Sequence, residues 1–340
     1  MHFTVWGFFL LLVAALISLD LGVFHRKAKL ISVREALAWT GIWVMVSLAF
    51  NVFVYLLYEH NWLGWTEIAS HHLSGRDAAI QFFTGYLVEK SLSVDNIFVI
   101  AMIFAYFHVP GEQQHRVLFW GILGAVVMRG IMIAMGVAII ERFAWSAYVF
   151  GLILIASAIK ILITRQETIT PERNLLVRLV NRFYPTSHDL TSNSFLVRMP
   201  DGRRAVTHSA LALVMIETTD VMFALDSIPA IFAVTRDPFL IFTSNIFAIL
   251  GLRSLYFAVA GLMHQFRYLK MSLVFLLAYV GVKMMLVHHY PIPNQVSLAV
   301  IGGILAVGIG ASLLAGTRDP VPLQSPLDPS ASSDAEHSTS

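Results

Sequence analysis

Cysteine is absent from the 340 residues, which excludes disulfides, thiolate metal sites and cysteine nucleophiles. Charge is scarce too: Asp, Glu, Lys and Arg make up 13% of the chain, against 57% hydrophobic residues and a mean hydropathy of +0.72. That balance excludes a soluble two-domain protein and describes a polytopic membrane protein, in which length counts spans rather than cores. No phosphate-cradling glycine motif is present, which argues against direct drive by ATP. The net charge of +2 gives no reason to expect a nucleic-acid partner or an organic cofactor.

What the chain has in abundance is apolar runs of membrane length. Nine approach the roughly 20 residues needed to cross about 30 Å of hydrocarbon. They lie near 3–24, 36–58, 79–107, 116–140, 145–164, 208–234, 240–262, 271–287 and 295–315. The first has no basic start and is followed by His25-Arg26-Lys27, the reverse of a secretory signal, so it counts as a true span. Loops after the odd-numbered spans hold fourteen Lys and Arg, whereas the opposite side holds only Arg76, Arg142 and Arg236. The positive-inside rule therefore puts the N-terminus outside and the C-terminus in the cytoplasm of a cell inner (plasma) membrane protein. Residues 1–315 form the transmembrane part, with spans one and two (3–78) and span nine peripheral. Residues 316–340, rich in Ser, Pro and Asp, read as a disordered cytoplasmic tail.

One cytoplasmic loop, 165–207, is long enough to have structure. Residues 171–183 place Leu175, Leu176, Leu179, Val180 and Phe183 on one stripe and Arg173, Arg178 and Arg182 elsewhere, which suits a helix on the membrane surface. Phe195 to Met199 and Arg203 to Thr207 then read as a hairpin around Pro200-Asp201-Gly202. Positive-inside topology accounts for the loop's basic charge, with lipid-headgroup, RNA or protein binding as the alternatives.

Two acidic clusters interrupt the apolar runs, Glu89-x5-Asp95-Asn96 and Glu217-x2-Asp220-x5-Asp226. A mid-bilayer carboxylate costs roughly 2.5 to 3.5 kcal/mol, so the group calls for a cation or counter-charges. The chain also repeats: Asp95 and Asp220, Arg129 and Arg253, and Lys160 and Lys283 stand at nearly constant separation, and Gly124-Ala125-Val126-Val127-Met128-Arg129 resembles Ala248-Ile249-Leu250-Gly251-Leu252-Arg253. Three spans separate the copies, which predicts an inverted repeat of two three-helix bundles, spans 3–5 (79–164) and 6–8 (208–287), with Asp95, Arg129, Asp220 and Arg253 meeting near mid-membrane. Pro229 predicts a local break that redirects Asp226, which an unbroken helix would point about 120° away from Asp220. Oxygen donors without thiolates suit a hard dication such as manganese, magnesium or calcium. The 13 Met are scattered over apolar faces and read as packing, and the His pairs 71–72 and 288–289 read as interfacial residues. Mutual neutralisation of buried acids and bases is the competing explanation. It leaves open why apolar residues would not serve as well.

The segments Glu89-Lys90-Ser91-Leu92-Ser93-Val94-Asp95-Asn96 and Glu217 through Ala230, followed by Ser244-Asn245 and Gly251-Leu252-Arg253, resemble the TerC family of bacterial and plastid membrane proteins, its Alx-type branch in particular. The resemblance runs from about residue 3 to 315. It implies a multi-helix fold related to LysE-type exporters, efflux of manganese(II) and an association with tellurite resistance. Carried over by position, Glu89, Asp95, Asn96, Glu217, Asp220, Asp226 and Asn245 become the metal pathway, with Arg129, Arg253, Lys160, Lys283 and Asp20 as compensating or gating charges. The expected function is a non-enzymatic secondary transporter that exports Mn2+ by alternating access, with protons as counter-ions. Export of Ca2+ or another hard cation, and a non-transporting role in metal delivery or tellurite stress, are the alternatives.

Overall fold

The computed structural model describes residues 2–24, 32–62, 73–143, 145–163, 174–185, 194–199, 203–260, 269–287, 289–290 and 292–316. In chain order the helices are α1 (His2–Phe24), α2 (Val33–Glu59), α3 (Gly75–Tyr106), α4 (Gly111–Arg142), α5 (Ser146–Ile163), α6 (Leu175–Phe183), α7 (His208–Phe232), α8 (Pro238–Ile249), α9 (Leu252–Ala260), α10 (Leu269–Leu286) and α11 (Asn294–Gly316). Strands β1 (Leu196–Arg198) and β2 (Arg204–Val206) pair antiparallel between α6 and α7. Among the described residues the fold is all-helical apart from this hairpin.

Local sequence sets where the helices begin. Ser32, Ser74 and Thr207 each accept from the backbone amide three residues on, and Asp237 caps α8 by accepting from Phe239 and Leu240, with Pro238 in the first turn. Among the described residues four helices are long and apolar enough to cross a membrane: α2, α4, α5 and the part of α11 from Asn294 to Ser312. A fifth span results if α8 and α9, bent by 43°, count as one. The acid-bearing helices α3 and α7 are not among them. At 32 and 25 residues they nonetheless measure about 48 and 38 Å at 1.5 Å per residue.

Helix continuity differs from expectation in two places. The run 240–262, expected as one span, consists of two helices with a break after Ile249, where Gly251 takes φ +78°, and it remains one span if the bent pair is taken together. The break expected at Pro229 is absent, because α7 continues to Phe232. Pro229 withholds a single backbone bond, the one to the Leu225 carbonyl, and helical bonding resumes past it: the backbone N–H of Ala233 reaches the Pro229 carbonyl at 3.2 Å. The 165–207 loop contains a helix, α6, over Leu175–Phe183 of the expected 171–183, and the hairpin pairs Leu196 with Val206 and Arg198 with Arg204. The predicted Pro-Asp-Gly turn, the 316–340 tail beyond Gly316, the loop around Arg26, and His71-His72 and His288 lie outside the described residues.

Packing brings α3, α4, α7 and α8 into one bundle, with α3 against α8 and α4 against α7. Helices α5 and α10 pack on each other. There Gly151 and Gly281 face one another so closely that a Cβ on either would lie 2.9–3.0 Å from the other's carbonyl oxygen. An aromatic cluster of Phe9, Phe50, Phe82, Phe239 and Phe247 ties α1 and α2 to α3 and α8, with Phe50 stacked on Phe247 at 4.2 Å. Lys90 of α3 donates to the carbonyls of Ala248 (3.1 Å) and Leu250 (3.4 Å), which the broken helix leaves without helical donors.

Candidate functional site

Arg129 is the centre of the bundle's polar interior. It stands midway along α4 and is 1% exposed, so its charge needs partners from neighbouring helices. It pairs with Glu89 of α3, which is fully buried. Two nitrogens of the same guanidinium reach both oxygens of Asp220 on α7, Nη2 to Oδ1 at 2.8 Å and Nε to Oδ2 at 3.2 Å. Asn245 of α8 completes the set: its Oδ1 accepts from Arg129 at 3.3 Å and its Nδ2 donates to Glu89 Oε2 at 3.3 Å. Four helices are thereby joined through one charge network.

Helix geometry decides which other acids join. Glu217 and Asp220 are three apart and share a face of α7. The Glu217 carboxylate lies against Gly124 of α4, where any Cβ would collide with it, and it couples electrostatically to Asp220. On α3, Asn96 is seven residues beyond Glu89 and returns to the same face, whereas Asp95, six beyond, points about 120° away. Asn96 is 5% exposed, and its Oδ1 has no hydrogen-bond partner among the described residues. It lines a cavity of about 20 Å³ together with Asp220 and Thr219, a space fit for roughly one water-sized occupant.

Asp226 does not converge on this network, contrary to the expectation built on Pro229. With α7 unbroken, its carboxylate turns toward α5 and accepts from Ser157 Oγ at 2.6 Å, with Lys160 one turn further on contributing electrostatically. Lys160 itself is exposed. Arg253, on α9, is 2% exposed, and its Nη2 lies 3.4 Å from His115 Nδ1. Lys283 of α10 is 6% exposed and donates to Asn294 Oδ1 at 3.1 Å. The side chain of Asp20 lies outside the described residues. Among the described residues no three Asp, Glu or His side chains form a ready-made metal cage. The carboxylates meet around a guanidinium instead.

Sequence reasoning singled out Glu89, Asn96, Arg129, Glu217, Asp220 and Asn245, and the structure gathers all six. It passed over Thr219, Gly124 and the carbonyl contacts of Lys90. The signal for Gly124 was available: it lies five residues before Arg129, on the helix that must approach the acids of α7. Thr219 carried no such mark, being one hydroxyl among several in an apolar run.

Comparison with known proteins shows the family. Residues 74–319 match the integral membrane protein TerC family. The chain is 46% identical over 315 residues to the uncharacterised membrane protein STKORF319 of Myxococcus xanthus, covering 93% of each chain. It is 38% identical to a membrane protein of Rickettsia felis, covering 91% of this chain and 97% of the other. Alx of Escherichia coli (strain K12), named as a candidate membrane-bound redox modulator, is 41% identical over 89% of this chain and 92% of its own. No solved structure matches. On the extent of these matches and the many apolar helices, the chain is a multi-pass membrane protein and belongs to the TerC family of integral membrane proteins.

Proposed function

We propose that the protein is a secondary transporter that exports Mn2+ through the Glu89–Arg129–Asp220 network by alternating access. The observation that carries this reading is the fully buried guanidinium held between carboxylates of two different helix triplets, beside a small cavity whose wall includes an unpartnered Asn96 oxygen. Glu89, Glu217 and Asp220 against Arg129 leave a formal charge of −2, which one dication or two protons would balance. In this mechanism the cavity admits a partly dehydrated Mn2+ to Asp220, with Asn96 and Thr219 as further oxygen donors. Arg129 then gives up Asp220 and stays on Glu89. Proton uptake by the emptied carboxylates returns the carrier. Asp95 and Asp226 belong to the entry and exit paths rather than to the central site.

The proposal includes nine spans in a cell inner membrane, N-terminus outside and C-terminus in the cytoplasm, with α3–α5 and α7–α10 as inverted repeats. Its support is the matched packing: α3 rests on α8 as α4 rests on α7, and α5 and α10 meet at a glycine pair. By the same relation Arg253 is to Asp95 what Arg129 is to Asp220. Redox modulation, the role in the Alx name, has no thiol to act through here, since cysteine is absent.

The test is ion flux with purified protein in liposomes containing a Mn2+-responsive dye. Wild type should admit Mn2+ well above protein-free vesicles; Asp220→Asn should lose at least about tenfold, as expected for removing a charged ligand worth more than 1.4 kcal/mol, and Glu89→Gln should lose a similar factor by leaving Arg129 no carboxylate to hold once it gives up Asp220. Asp220→Asn carrying Mn2+ at the wild-type rate would overturn the reading. Faster flux of Ca2+ than of Mn2+ would reassign the cargo while leaving the site intact, and no flux of any dication would favour the non-transporting role.

A further inference from the structure

The hairpin and α6 form a second built feature, at the bundle end where α7 begins. Leu179, Phe195, Leu196 and Val206 line an open apolar groove of about 350 Å³ between α6, the hairpin and α7. Leu179 and Leu196 are about half exposed, so this apolar surface is not covered by the chain itself. Strand geometry supplies the second element. Directly paired residues share a face, and so do residues two apart, so Leu196, Val206, Arg198 and Arg204 all project from one side of the hairpin. The arginine pair therefore stands one step, about 7 Å, beyond the apolar pair that lines the groove. A third guanidinium, Arg116 at the start of α4, lies over the Phe195 ring at 4.4 Å. No Asp or Glu occurs among the described residues of 174–207. Positive-inside topology accounts for the number of arginines in this segment. It does not account for their placement as a pair at the open end of an apolar slot.

We propose that the groove holds one anionic phospholipid of the surrounding leaflet, its acyl chain against Phe195, Leu196 and Val206 and its phosphate at Arg198 and Arg204. An apolar channel continuing into paired cations matches a molecule that is apolar at one end and anionic at the other, and α6, with Leu176 and Leu179 exposed beside Arg178 and Arg182, has the make-up of a helix suited to a lipid surface. The proposal depends on neither the transported ion nor the direction of transport.

Native mass spectrometry of the full-length protein in detergent, titrated with phosphatidylglycerol and with phosphatidylcholine of the same acyl chains, tests it. Wild type should retain phosphatidylglycerol with a preference of about fivefold or more, from guanidinium attraction to the anionic headgroup. The double variant Arg198→Gln/Arg204→Gln should lose that preference, and Arg198→Lys/Arg204→Lys should keep most of it. Both positions are exposed, and an unchanged melting temperature checks that the variants fold. Equal retention of the two lipids by wild type, or an undiminished preference in the glutamine variant, would sink the proposal. So would binding of soluble glycerol 3-phosphate as tight as the lipid, which would mean a phosphate site without the groove, or displacement of the lipid by an RNA oligonucleotide, which would mean a nucleic-acid surface.

Discussion

The two consecutive helix triplets carry similar text in their middle helices and give it different shapes. Gly124 to Arg129 lies within α4, unbroken for 32 residues, whereas Ala248 to Arg253 runs across the break between α8 and α9. Position for position, Val127 in the first copy corresponds to Gly251 in the second. Val127 is half exposed on a regular helix; Gly251 has φ +78° and lies against buried Trp43 of α2. Each half thus delivers a buried arginine, one from a rigid rod and the other from just past a hinge. The unpaired carbonyls at the hinge are taken by Lys90 of α3, the residue next to Glu89. The charge pattern repeats while the backbone that presents it does not, so the broken half is the better candidate for the moving part of the proposed carrier.

Gly251→Val should break this comparison most severely. The left-handed backbone costs an L-residue roughly 1–2 kcal/mol, more when β-branched, and a Cβ there would lie 2.6–2.7 Å from Trp43 side-chain atoms. Adding overpacking of roughly 1–3 kcal/mol, the variant should lose about 3 kcal/mol or more of stability. Thermal unfolding in detergent should show a lower midpoint and poorer recovery of folded protein. A variant as stable as wild type would mean that the bend does not depend on Gly251.

Much of this was legible in the sequence, and the misses share a cause. The buried charges stood out because each is costly in an apolar run, and the i, i+3 spacing of Glu217 with Asp220 gave their shared face; that Asn96 rather than Asp95 returns to the face of Glu89 was not drawn from the sequence. Arg129 was expected to compensate the acids, and it does so directly. What failed was the inference from proline. Pro229 withholds one backbone bond, to the Leu225 carbonyl, and α7 absorbs that loss and runs on to Phe232. The actual break falls at Gly251, where the residue permits a positive φ but the packing of Trp43 and the donor Lys90, from two other helices, make that conformation the stable one. Such tertiary support cannot be read from the segment it acts upon. For the same reason the partner of Asp226 was missed: Ser157 is an ordinary helical serine until α5 packs on α7.

Lys90→Met is the next smaller perturbation of the hinged half. The methionine has a similar apolar stem but no ammonium, so the carbonyls of Ala248 and Leu250 lose their donor. Leaving buried carbonyls unsatisfied should cost about 2 kcal/mol. Amide exchange over 246–254 should accelerate while that of α4 stays unchanged. Equal acceleration in both triplets would show that Lys90 supports the whole bundle rather than the hinge.

Val127→Gly asks whether glycine alone makes a hinge, and it should have the smallest effect. The substitution gives the first triplet the residue found at the break in the second, at a helical interior position where glycine costs about 1 kcal/mol relative to alanine. Val127 is 53% exposed, so little packing is lost. Nothing at this point of α4 matches the Lys90 contact to Ala248 and Leu250: the residue that corresponds to Lys90 by the repeat spacing is Met215, which has no cation to offer freed carbonyls. The helix should therefore stay continuous, with the melting temperature only slightly lowered and Arg129 still bound to Asp220. Exchange at 123–131 as fast as at 246–254 would instead show that backbone freedom suffices, and that the two halves differ by one residue rather than by what surrounds it.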